Sequence, residues 1–273
     1  MSKVFRGLRI AAGICALSIA LFPAAVGAQT KPSRTEVGGE PPQSLMWVGN
    51  SFFYYNNSMH NHYGRIAREV DAGKRYRSVS VTVSGSGIDW HDLDTYLRPG
   101  LIGKYSFAAG NEVVFNKPGR QFDAVMMMDC SQCPIHPQLK GAFNDFARKN
   151  SETIRNYGAR PVFFMSWAYK DKPEMTSTLA EAYTVAGNAN DALVVPAGLA
   201  FAKAIAKRPA LELYEADKRH PSLAGTYLAA CTTFAALWKK SPVDIKYTAG
   251  LDPELASFLR TVAWETVNEY YAK

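Results

Sequence analysis

The stretch "SLMWVGNSFFYYNN", residues 44–57, sets the architecture. It starts as an apolar run, "SLMWVG" (44–49), of the kind that fills a buried strand. It breaks at Gly49-Asn50-Ser51, a turn of small and polar residues, and passes into Phe52-Phe53-Tyr54-Tyr55. A serine in such a turn ordinarily caps or bends the chain. Its meaning depends on what other strand ends bring to it.

Working outward, the pattern repeats. "MHNHYGRIAREVDA" follows as a helix, with Tyr63, Ile66, Ala67 and Val70 on one face. "RSVSVTVSG" (77–85) alternates like a strand, and "FDAVMMM" (122–128) is a continuous apolar run, as in a strand buried on both faces. The segment 138–157 has helical spacing. "ARPVFFMSW" (159–167) is another buried strand, 174–188 a helix, and "DALVVPAG" a short strand ended by Pro196. Helices at about 221–239 and 252–271 close the chain. Five strands alternating with helices predict an α/β fold: three layers, α/β/α, around a flavodoxin-like, doubly wound parallel sheet of five strands. Right-handed crossovers then gather Ser51, the Gly85 region, Asp129 and Ser166-Trp167 on one rim.

The chain has 273 residues, 47% apolar and 20% charged, which suits one sizeable domain. Lys3, Arg6 and Arg9, the apolar run "IAAGICALSIALF" and the small residues up to Ala28 read as a secretory signal peptide over 1–28. Residues 29–43 read as a flexible lead-in and 44–273 as the folded domain. Export implies a secreted or periplasmic protein with no stable membrane anchor after cleavage. Losing three basic residues and no acidic one lowers the net charge from +7 to +4. That small excess forms no basic stripe, so no nucleic-acid partner is expected. An oxidising compartment permits one disulfide among Cys130, Cys133 and Cys231, and the spacing leaves the pair open.

A serine nucleophile needs a base. "YEADKRHPSLAG" offers one: Asp217 and His220 lie three apart, so one turn can bring the carboxylate to one imidazole nitrogen and leave the other free. Pro221 and Ser222 then open an apolar-faced helix.

These pieces together resemble the SGNH (GDSL-like) hydrolases. "VGNSF" is similar to their first block, with Asn50 where Asp is more usual. "SGSGIDWHDL" is similar to the glycine block and "DKRHPSLAG" to the last block. A branch of exported members beginning "GNSF", with Gly-x-x-aliphatic-x-x-His in the second block, is similar through Gly85, Ile88 and His91. The resemblance implies a serine esterase acting on small-molecule or saccharide esters, with O-acetyl groups as one substrate class. Ser51 would be the nucleophile, His220 the base and Asp217 its orienting partner. The oxyanion hole would use the N–H of Ser51, a glycine N–H (Gly85 fitting better than Gly87) and a side-chain amide. In the third block "MMMDCSQCP" departs from the family's Gly-x-Asn-Asp. Cys130 stands where the amide belongs, Asp129 would repel an oxyanion if ionised, and Gln132 is the nearest amide.

Phe52, His91 and Trp167 are expected beside the substrate. His60 and His62, at i and i+2, do not share a helix face, so no metal site is expected there. No glycine-rich phosphate loop and no metal-ligand cluster is visible, so no cofactor is expected. Two other readings stay open: a glycan-binding relative with a defective oxyanion hole, and a Cys130-x-x-Cys133 dithiol protein.

Overall fold

The computed structural model describes residues 30–117 and 119–272; the expected signal peptide lies outside them. The chain runs β1 (Ser44–Gly49), α1 (Ser51–Tyr54), α2 (Met59–Val70), β2 (Arg77–Thr82), α3 (Leu93–Leu97), β3 (Tyr105–Phe107), β4 (Val113–Phe115) and β5 (Ala124–Met127). It continues α4 (Lys140–Asn156), β6 (Arg160–Phe164), α5 (Met175–Ala189), β7 (Leu193–Val195), α6 (Ala197–Lys207), α7 (Leu223–Trp238) and α8 (Pro253–Tyr270).

The main sheet has the order β2-β1-β5-β6-β7, parallel throughout. The chain winds one way from β1 to β2 and the other way from β5 to β7, so the order switches between β1 and β5. Crevices for ligands form outside the carboxyl ends at such a switch. β5 is wholly buried, as its unbroken apolar run requires, while β2 at the edge is half-buried. Pro161 is tolerated inside β6 for a local reason. The Arg160 N–H donates toward β5, so position 161 faces the other side, where the pairing with β7 starts only at Val162.

Helix α7 packs against α2, α6 and α8, while α4 and α5 pack on β6. Helix α7 is buried all round rather than along one face. Its Thr232 and Thr233 hydroxyls satisfy themselves on the carbonyls one turn back, at 2.8 and 2.9 Å.

Four features differ from the sequence expectation. Residues 30–43 carry no helix before Ser44, yet they are strapped to the body. Thr30 bonds Glu181, Ser33 bonds Asn188, Arg34 pairs with Asp191, and Val37 is buried. Polar groups on α5 take up this lead-in. Helix α6, "AGLAFAKAIAK", and the antiparallel pair β3–β4 were not anticipated. Pro196 masks the first as a strand stop, and the two three-residue strands are too short to show a period. Helix α7 starts at Leu223 with Ser222 as its cap, so Pro221 precedes it rather than opening it.

Candidate active site

Strand β1 ends at Gly49, and Asn50 then ties the rim together. Its side-chain amide donates to the carbonyls of Ser86 (3.0 Å) and Asp129 (3.2 Å), and its oxygen accepts from the Phe52 N–H (3.2 Å). One buried side chain thus joins the ends of β1, β2 and β5 and caps α1. The amide nitrogen makes two of these bonds as a donor; a carboxylate in its place could not. Asn50 in the first block therefore has a structural reason, which sequence reading passed over.

Ser51 opens α1 and lies nearly buried. Its Oγ is 2.7 Å from Nε2 of His220. The other ring nitrogen, Nδ1, meets Oδ2 of Asp217. Asp217 is itself fixed, because its Oδ1 accepts the N–H groups of Arg219 and His220, each at 3.0 Å. Burial pushes the Asp217 carboxyl up. The bonds from the His220 ring and the two N–H groups outweigh this and hold it at about 2. It is ionised at neutral pH and can only accept. The proton therefore sits on Nδ1 of His220, and Nε2 is left to accept from the Ser51 hydroxyl.

The loop that carries this pair is closed on itself and pinned from behind. Tyr214 and Pro221 bridge, the Glu215 N–H donates to the His220 carbonyl (2.9 Å), and Lys218 takes a left-handed φ of 65°. The Trp167 indole N–H donates to the Arg219 carbonyl (2.9 Å), and the Tyr214 hydroxyl donates to the Ala168 carbonyl (2.8 Å). Two aromatic rings hold the imidazole. Tyr55 lies flat on it, with centroids 4.1 Å apart and planes 7° apart; Phe52 meets it edge-on at 5.5 Å. After Tyr55, Asn56, Asn57 and Ser58 all have positive φ. This strained turn is tied down by the Asn56 amide, which donates to the Pro221 carbonyl at 2.7 Å.

The residues expected beside substrate sit lower. Trp167 is fully buried, stacked between Phe52 (4.7 Å) and Phe201 (4.2 Å). Phe52 is buried as well. They form a column under the histidine loop rather than a wall above it. His91 is buried and neutral, its pKa lowered chiefly by burial. It bonds the Ser86 hydroxyl (3.0 Å), which in turn donates to the Gly49 carbonyl (3.0 Å). That chain braces β1 against the second block.

The two glycines divide differently from the expectation. Gly85 has φ of 69° and open space where a Cβ would stand; the turn needs its conformation. Gly87 is pressed against Asp129: a Cβ there would lie 3.1 Å from Oδ1 of Asp129 and 2.5 Å from Oδ1 of Asp89. The carbonyl of Ser86, in the same peptide unit as the Gly87 N–H, is the one held by Asn50. It is Gly87 that is locked to the first and third blocks.

In the third block, Cys130 and Cys133 form a disulfide, and Cys231 is free and buried, with burial pushing its thiol up to about 12. Asp129 turns inward. Its Oδ1 accepts the N–H of Ile88 (2.8 Å) and of Cys130 (2.7 Å). Burial, only partly offset by these bonds, raises its carboxyl to about 6. The Gln132 amide donates to the Tyr169 hydroxyl at 3.1 Å, the same hydroxyl that Ser131 bonds at 2.6 Å. It is thus held by a residue that follows β6. A carboxylate oxygen of Asp129 lies near the sulfurs of Cys130 and Cys133, but those are bonded to each other and not free to hold a metal.

No protein-family model and no curated protein matches the sequence. Solved structures do. A DUF4886 family protein from Bacteroides uniformis superposes with a TM-score of 0.55 at 16% identity, over 84% of this chain and 96% of its own. A protein assigned to the SGNH hydrolases, from Slackia heliotrinireducens, gives 0.52 at 23% identity, over 71% of this chain and 97% of its own. A variant of Axe2, an acetyl xylan esterase from Geobacillus stearothermophilus, gives 0.52 at 14%, over 74% and 98%. The five-stranded parallel sheet with its flanking helices matches the fold of the SGNH hydrolases.

Proposed function

We propose that this chain is an exported serine hydrolase that cleaves carboxylic esters through Ser51, His220 and Asp217. One observation carries the reading: Ser51 Oγ lies 2.7 Å from an imidazole nitrogen whose opposite nitrogen is held by an ionised carboxylate. Each role follows from the donor inventory. His220 Nε2 takes the Ser51 proton as Oγ attacks the ester carbonyl carbon. The new C–O bond forms and the carbonyl π-electrons move to oxygen. The tetrahedral adduct collapses, and the imidazolium returns its proton to the leaving alcohol. Water then attacks the acyl-serine with His220 again as base, releasing the acid. Asp217 stabilises the imidazolium in both halves, and the Tyr55 face above it does the same through its ring quadrupole.

The N–H groups of Ser51 and Gly87 are the oxyanion donors of this reading, with the third donor the weak part of the site. Gln132 is the side-chain amide of the third block, but its amide is bonded to Tyr169 and would have to leave it. An O-acetylated saccharide is the substrate class we propose, on the likeness to the acetyl xylan esterase fold and on the aromatic lining around His220. The test is turnover by the purified protein of short-chain aryl esters and acetylated sugars, beside Ser51→Ala. Release of acetate by the native protein and not by the variant is the expected result. Glycan binding without turnover in both would favour a binding protein with a defective hole instead.

A further inference from the structure

At the other end of the main sheet, the amino ends of β1 and β2 open into a cavity of about 580 Å³. It lies a strand length from Ser51, roughly 20 Å at the usual rise per residue, and shares no residue with the site described above. Three guanidinium groups line it: Arg68 at the end of α2, Arg75 in the following loop and Arg77 at the start of β2. Ser78, Asn61, Ser106 and Asn116 also line it; the Ser106 hydroxyl donates to Asn116, and the Asn61 and Asn116 amides donate to the Asn57 and Gly103 carbonyls.

The charges there do not balance. Among the described residues, none of the three arginines has a carboxylate within ion-pair distance. The carboxylates nearby are already engaged. Asp123, in the wall, pairs with Arg120 and accepts the N–H groups of Gln43 and Ser44. Asp71 holds Lys74 and the Tyr76 hydroxyl. Arg77 is half-buried, stacks on Phe122 at 4.7 Å and donates to the Gln121 carbonyl. Half-burying a guanidinium with no carboxylate in ion-pair range costs energy; burial lowers its pKa, and the more distant Asp123 charge offsets this only in part. His60 lines the same cavity, and its Nδ1 is buried with no hydrogen-bond partner. Among the described residues this atom has no partner within the chain.

We propose that this cavity binds a multiply charged oxyanion of the phosphate class, with Arg68, Arg75 and Arg77 supplying the charge and His60 a further hydrogen bond. Guanidinium forks match the edges of a phosphate in paired hydrogen bonds. Three unpaired cations call for more than one negative charge, which a phosphate or pyrophosphate carries in a volume of this size. A soluble phosphate and a phospholipid headgroup present the same chemistry.

The test uses the whole purified protein, with inorganic pyrophosphate in titration calorimetry and vesicles in sedimentation, at low ionic strength. Arg68→Gln with Arg75→Gln is the variant; both residues are exposed, and an unchanged melting temperature checks its fold. Pyrophosphate should bind saturably, weaken as salt rises, and lose about tenfold or more in affinity in the double variant. Absence of pyrophosphate binding, with sedimentation on phosphatidylglycerol but not phosphatidylcholine vesicles that the variant loses, would assign the site to a lipid headgroup. Binding of neither probe, binding unaltered in the variant, or preference for an oligouronide over pyrophosphate would overturn the proposal.

Discussion

Two loops meet at the active-site rim, and they spend their polar groups in opposite ways. The loop 214–221 uses its backbone and neighbours to hold Asp217 and His220, and it aims one free nitrogen outward at Ser51. The loop 129–134 uses its polar groups chiefly on neighbouring segments: Asp129 on Ile88 and Cys130, Gln132 and Ser131 on Tyr169. The first presents His220 to Ser51, and the second ties itself to the second block and to Tyr169. On the reading proposed here, transition-state stabilisation is concentrated on the side of the histidine loop.

The largest effect should come from removing what that loop serves. Ser51→Ala should lower ester turnover by roughly a thousandfold or more, with an unchanged melting temperature. Retained turnover would break the comparison outright. Asp217→Asn should come next, at roughly a hundred- to ten-thousandfold in kcat. The amide can present an N–H to Nδ1 of His220, which stabilises the wrong tautomer and no longer supports the imidazolium. An Asp217→Asn variant with native kcat would show that the loop merely positions His220.

The loop 129–134 should show itself in stability. The Asp129 carboxyl is raised by burial to about 6, against an ordinary value near 4 in the unfolded chain. The folded protein therefore binds this proton more tightly. Its stabilising effect is fully present below pH ~4, is lost as pH rises toward ~6, and is gone above, for a change on the order of 3 kcal/mol. Asp217 runs the other way: its lowered pKa favours the fold above pH ~4, an advantage lost as acid takes the carboxylate toward about 2. Between pH ~4 and ~6, above the Asp217 window, urea midpoints should fall as pH rises in the native protein and flatten in Asp129→Asn. An identical slope in both would remove Asp129 as its source.

The two loops also differed in legibility. Asp217-x-x-His220-Pro221 could be read because a short spacing within one turn nearly dictates the contact, and the serine turn because a parallel sheet puts strand ends on one rim. The fold was readable for the same reason: β5 and β6 are unbroken apolar runs, and the helices keep their period. What could not be read depended on partners far away in sequence. The Trp167 side chain stands below the rim because its indole N–H finds the Arg219 carbonyl 52 residues on. His91 turns to Ser86, and Gln132 to Tyr169, for bonds that no local pattern encodes. The anchoring of residues 30–43 depends on Glu181, Asn188 and Asp191, again beyond any local signal.

Tyr55 offers a smaller way to sharpen the comparison. Its ring stacks on His220, just before a turn of three positive φ values. If the face stabilises the imidazolium, Tyr55→Ala should lower kcat by roughly two- to thirtyfold, the worth of a cation–π contact. Tyr55→Phe should stay within about twofold, since the hydroxyl plays no part. Steady-state kinetics on an aryl acetate decides it; a loss in Tyr55→Phe equal to that in Tyr55→Ala would point to the hydroxyl instead.

The smallest effect is the most informative about the third block. As the third oxyanion donor, Gln132 would be worth roughly ten- to a thousandfold in kcat. The geometry argues for much less, because its amide nitrogen is 3.1 Å from the Tyr169 hydroxyl and would have to leave it. That hydroxyl keeps Ser131 as a partner at 2.6 Å, so the loop does not depend on the glutamine. Gln132→Ala is therefore expected to change kcat by less than about threefold and to leave KM in place. A loss near a hundredfold would mean that the amide swings from Tyr169 into the hole when substrate arrives. Tyr169→Phe then becomes the discriminating variant: by freeing the amide of its resting partner it should raise kcat in the swinging case and leave it unchanged otherwise. With both variants silent, the two loops are as unlike in catalysis as they are in hydrogen bonding, and the hole rests on the backbone N–H groups of Ser51 and Gly87.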